Sequence, residues 1–278
     1  MRVLLSSVTG QVLRQIGVIA LCTAGAASTI AAQGGKAAPP PSGPLPQIVA
    51  GGIQIANIVA PKDDMMSRPF NSENGTKLVL WVKMPAGQGL IEIDDDGSLL
   101  QSFSDDKGTN LGGRIGSFPD EFKDGSGGTV EISSTGLPAA GATRLVAEGT
   151  LALNVSSGVK PERVANVSIQ NGRTFLLGKT SITVAEVETS STEQKFTLKL
   201  PRTVMEGIRE VKFFDAKGQP VEGHRTSSGY MNDAGEMGLT VTTALKTLTL
   251  EFEVWQGRRT IKVPFKVQTG IGVGGVTP

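Results

Sequence analysis

The chain is poor in the side chains that carry most protein chemistry. It has one cysteine, one histidine, one tyrosine and two tryptophans among 278 residues. A single cysteine cannot close an intramolecular disulfide. One histidine leaves the familiar zinc, Ser–His and paired general-base sites short of parts. Neither sign of charge dominates, with 27 Lys and Arg against 26 Asp and Glu. Proteins held on nucleic acid by phosphate contacts carry a basic excess, so that class is excluded. No stretch has convincing helical periodicity; Thr203 to Ile208 offers at most one turn. Glycine is abundant, at 36 residues, as expected where many short strands are joined by tight turns.

The only apolar segment resembling a membrane signal lies at the start. Arg2 and Arg14 supply positive charge, Ile16 to Ile30 is apolar and rich in small residues, and the first acidic side chain comes far downstream. This is the pattern of a secretory signal peptide over residues 1–33. A membrane anchor would need a longer run than this one, which Thr23, Gly25, Ser28 and Thr29 interrupt. A lipid-anchor signal at Cys22 would want a small residue in place of Leu21. The mature chain is therefore expected outside the cytoplasm (periplasmic, cell-surface or secreted), with no membrane span. It would have no cysteine and be stabilised by its cores alone. Residues 34–47 include A-A-P-P-P-S-G-P-L-P, a stiff, extended spacer.

Downstream, one pattern occurs twice. Ile53-Gln54-Ile55-Ala56-Asn57-Ile58 recurs as Ile182-Thr183-Val184-Ala185-Glu186-Val187. Lys77 to Pro85 is echoed by Lys195 to Pro201, and Gly89 to Gly97 by Ile208 to Gly218, each ending in Asp-x-x-Gly. Gly128 to Ile132 matches Gly238 to Thr242, and Leu145 to Ile169 echoes the closing stretch Leu248 to Val267. In that stretch Leu248, Leu250, Phe252 and Val254 alternate with polar residues, as do Ile261, Val263, Phe265 and Val267. Successive strand side chains point to opposite faces, so both runs are half-buried strands. A turn at Gly257-Arg258 would fold them into a hairpin with Val254 opposite Ile261. Pro264 cannot donate to a ladder, which places its strand at an edge or a bulge.

Recurrence in the same order reads as a tandem duplication. The expected architecture is all-β: two antiparallel β-sandwich modules, residues 48–178 and 179–270, followed by a tail over 271–278. Strand order and turn chemistry across residues 50–270 resemble the tandem immunoglobulin-like modules of exported bacterial proteins, without the Cys-Trp-Cys core of antibody domains. The resemblance implies adhesion, carbohydrate binding, enzyme scaffolding or envelope structure.

Four groups of residues are candidates for function. Glu92, Asp94 and Asp96 before Gly97 open like a calcium loop, although Phe103 stands where the closing bidentate Glu belongs; the alternative is a solvated turn. Asp120, Glu121 and Asp124 lie in a glycine-rich loop and contain the two carboxylates a glycosidase needs, with no other sign of a pocket. His224, Arg225 and Tyr230 gather on one polar stretch, the first choice for a contact surface. Trp81 and Trp255 fall opposite the inward series of their strands, where aromatics stack on sugars or partners; the alternative is that both are covered. The expected function is an exported, non-enzymatic structural or protein-interaction component. The alternatives are carbohydrate binding and a calcium-stabilised adhesion module.

Overall fold

Alternation of apolar and polar residues gives strands through most of the chain, and among the described residues only Arg202–Met205 forms a helix, α1. The computed structural model describes residues 44–58, 73–116 and 119–272. The expected signal peptide, most of the spacer and the end of the tail lie outside them. The strands are β1 (Gln47–Ala56), β2 (Gly75–Lys83), β3 (Gly89–Asp105), β4 (Arg114–Ile115), β5 (Asp120–Glu121), β6 (Gly127–Ser134), β7 (Arg144–Ser156), β8 (Gly158–Ser168) and β9 (Thr174–Leu177). They continue with β10 (Thr180–Thr189), β11 (Gln194–Pro201), β12 (Ile208–Phe214), β13 (Pro220–Val221), β14 (Gly223–Met231), β15 (Ala234–Val241), β16 (Thr247–Gln256) and β17 (Arg259–Gly270). The chain is all-β with several antiparallel sheets.

Two buried clusters hold the sheets together. The first combines Leu78, Leu80 and Val82 of β2 with Ile93 and Phe103 of β3, Leu151 and Leu153 of β7, and Val263 and Phe265 of β17. The second combines Val184, Phe196 and Leu198 with Val211, Phe213, Leu248, Leu250 and Phe252. The sheet orders correspond. β2 lies between β1 and β6 as β11 lies between β10 and β15, while β17-β7-β3 matches β8-β16-β12.

That last match contains an exchange. The run after β7 is β8, yet β8 pairs with β16; the run after β16 is β17, yet β17 pairs with β7. The hairpin expected at Gly257 therefore does not form. The alternation fixes which side chains point inward, and Ile261, Val263, Phe265 and Val267 are buried as read. It does not fix the partner, because β7–β8 carries the same pattern and either pairing buries the same faces. The register is continuous across the junction: Arg259 faces Val155 and Gln256 faces Gly158, with the Ser157 amide donating to the Gln256 carbonyl (2.9 Å). Two long runs thus form one antiparallel ribbon through both cores. Gly257 lies at the crossing with φ 56°, where an added Cβ would collide with Ser157 Oγ.

Two further expectations change. The boundary placed at residue 178 falls on the turn of a hairpin, with Leu177 facing Thr180 and Gly178 at φ 61°. The Asp-x-x-Gly at 94–97 does not reverse the chain. The register passes from Asp94 opposite Ala152 to Leu99 opposite Thr150, so the intervening residues bulge out and β3 continues. The true counterpart of Asp215–Gly218 is Asp105–Gly108. In both, the Gly amide donates to the Asp carbonyl (3.2 and 3.0 Å). One Asp carboxylate oxygen takes the amides two and four residues on (2.9 and 2.8 Å at Asp105, 2.8 and 2.8 Å at Asp215). Pro264 is on β17, an edge of its sheet, as expected.

Candidate functional site

The acidic stretch does not assemble as a metal loop. Asp94 accepts the Gly97 amide (2.9 Å) and closes its own bulge, helped by Ser98 Oγ donating to the Asp94 carbonyl (2.6 Å). Glu92 accepts from Asn154 Nδ2 (2.7 Å). Among the described residues no three His, Cys, Asp or Glu converge as a metal-holding group. The calcium reading of Glu92, Asp94 and Asp96 thus loses its geometry, because Glu92 and Asp94 are engaged by protein donors and the three carboxylates do not converge.

The carboxylates of the glycine-rich loop go separate ways. Glu121 on β5 accepts the Ile93 amide (2.9 Å). Burial pushes its pKa up, with smaller contributions in that direction from Glu92 and Asp120. Asp124 accepts the Ser126 amide (2.9 Å), and this bond holds its pKa below the ordinary carboxylate value.

Trp255 is buried, at 9% exposure. A Cβ added at Gly89 or at Gly125 would lie 2.5 Å from its ring, so two glycines of the first half receive the indole. Arg209 stacks over it (5.6 Å), pairs with Glu253 and donates to the Asp124 carbonyl (3.1 Å). Lys212 also holds Glu253 (2.5 Å). Trp255 is thus a packing element between the halves, not an outward platform. Trp81 remains accessible at 39%, edge-on to Phe122 and beneath Lys83 Nζ (4.3 Å).

His224, Arg225 and Tyr230 share β14, an edge strand that pairs only with β15 among the described residues. Eight of its nine residues are exposed. Arg225 donates to the Arg209 carbonyl (2.5 Å), and desolvation lowers its pKa. Tyr230 packs against the one helix: its ring lies 3.7 Å beneath the Arg202 guanidinium, which pairs with Glu206 (2.5 Å).

Tyr230 and Arg202 thereby form one wall of a cleft of about 590 Å³ between the two cores. Glu206, Arg258 and Arg259 continue the lining, and Ile91, Glu92, Glu121, Asn154 and Thr260 complete it from the first half. Thr260 Oγ1 donates to Asn154 Oδ1 (2.6 Å), and Asn154 passes the chain on to Glu92. Arg258 is anchored on the Thr203 carbonyl (3.2 Å). Sequence reasoning marked Glu92, Glu121 and Tyr230 separately. It missed Arg202, Asn154, Arg258 and Thr260, because only the strand exchange brings residues near 154, 202 and 260 together.

No known protein family matches the chain, and neither does any curated protein. Among solved structures, it is similar to the crystal structure of a conserved domain protein from Bacillus anthracis. The identity is 7% and the TM-score 0.21, over 69% of this chain and 81% of that one. A likeness so slight has no bearing on fold or function.

Proposed function

We propose that this chain is an exported, non-enzymatic interaction component of the cell envelope or exterior, built of two immunoglobulin-like β-sandwich modules, that docks a protein partner along β14. Two cores, each drawn from two sheets, support the sandwich reading. The amino-terminal pattern supports export.

The observation that carries the docking role is a contrast between two edges. β17 presents Lys262, Pro264 and Lys266 outward, the residues that block unwanted strand pairing. β14 is a comparable edge, and its exposed centre Thr226-Ser227-Ser228-Gly229 has neither charge nor proline. This uncharged stretch, flanked by Arg225 and a break in register before Ser227, suits addition of a partner's strand, with main-chain hydrogen bonds supplying affinity.

Lysines at Ser228 and Gly229 test this. A Cβ at Gly229 meets nothing within 4 Å, so the fold tolerates the change. With the exported chain as bait on envelope extract, a partner held by the parent should be lost by the S228K/G229K variant at unchanged melting temperature. Equal retention by both proteins overturns the docking edge.

A further inference from the structure

The cleft between the cores has a chemistry of its own, independent of strand docking. Its volume of about 590 Å³ lies within the range that encloses a small ligand or a short polymer segment. Three guanidiniums (Arg202, Arg258, Arg259) face three carboxylates (Glu92, Glu121, Glu206), so the lining is balanced and does not select an ion of either sign.

Five of these six groups, all but Arg259, are held by recorded anchors. The relay from Thr260 through Asn154 fixes Glu92, the Ile93 amide fixes Glu121, Glu206 fixes Arg202 and the Thr203 carbonyl fixes Arg258. Each anchor takes only part of its group's capacity, since a guanidinium has five N–H donors and a carboxylate about four acceptor sites. The cleft therefore presents both spare donors and spare acceptors from anchored groups. Tyr230 is 56% exposed, with Arg202 against its ring, and its remaining aromatic surface is open. The walls come from both halves, and the shared ribbon sets their spacing before any ligand arrives, which limits the ordering cost of binding.

We infer that this cleft binds a neutral polyhydroxylated ligand, a segment of a glycan chain. A sugar hydroxyl donates and accepts at once, so neighbouring hydroxyls need mixed donors and acceptors side by side. The C–H face of a pyranose packs on an aromatic ring. The cleft supplies both, without the net charge that a phosphate or an acidic polymer would require.

Affinity electrophoresis of the exported chain decides the matter. The gels contain hydroxyethylcellulose, mixed-linkage β-glucan, galactomannan or soluble starch, with alginate as the acidic arm. At least one neutral glycan should retard the protein equally at low and high salt, because no counterions are released. Tyr230→Ala and the near-isosteric Thr260→Val should each weaken that retardation by about tenfold or more at unchanged melting temperature. Trp81→Ala, outside the lining, should leave it intact. Migration unaffected by every neutral glycan, retardation by alginate alone, or loss of binding in Trp81→Ala but not Tyr230→Ala would each overturn the assignment.

Discussion

Asp106 lies within the turn that Asp105 organises, and its carboxylate is taken up by Thr143, through the hydroxyl (2.6 Å) and the amide (2.9 Å). Those bonds lower its pKa from 3.8 to about 2. The unfolded chain therefore takes up this proton first as acid is added. The contribution of Asp106 to stability is complete above pH 3.8 and fades as pH falls toward about 2. Asp106→Asn should melt lower than the parent at neutral pH, and the gap should close across that window; a gap that stays constant in thermal melts would show that the carboxylate is not engaged. At this scale the sequence was partly legible. The Asp-x-x-Gly rule found turn chemistry, but four such stretches exist and the rule cannot say which reverse the chain. Asp94 caps a bulge because β3 has a partner strand, β7, that continues past it. Trp255 misled for a related reason: alternation put it on the outer face, and the glycines that cover it, Gly89 and Gly125, lie more than a hundred residues away in the chain.

Strand boundaries and inward faces were read from period-two patterning, and β2, β11 and β17 bury the residues that pattern selects, whereas β16 also buries Thr249, Glu253 and Trp255 and leaves Val254 only half-buried. Strand partners were not legible, since two repeats with equivalent closing strands satisfy the same burial by keeping or exchanging them. The crossing point is where the choice becomes visible. Gly257 has the left-handed φ of 56° that disfavours a side chain, and a Cβ there meets Ser157 Oγ. Gly257→Ala should cost about 1–2 kcal/mol from backbone conformation alone, with steric overlap in addition. In urea denaturation, adding Ser157→Ala should recover the steric share and leave the backbone share. Full stability of Gly257→Ala would mean that the crossing tolerates ordinary backbone there.

The ribbon also couples the two cores of the whole molecule. β7–β8 and β16–β17 each pass from one core to the other, and the Trp255 contact and the Arg209–Asp124 hydrogen bond add a second tie. Heat should therefore unfold the chain in one calorimetric transition, with calorimetric and van't Hoff enthalpies in agreement. Two resolved peaks would show independent halves. The repeat itself was legible in the sequence, whereas its interlocking was not, because the exchange depends on contacts between segments about a hundred residues apart. The same exchange sets a timetable for biosynthesis. The second core has all its strands once residue 256 has been made, because β8 precedes it in the chain. The first core, begun at β1, still lacks β17 and the side chains Ile261, Val263, Phe265 and Val267. Of the two cores, the one begun first is completed last, so the growing chain is kept from closing its amino-terminal core until β17 has been translated.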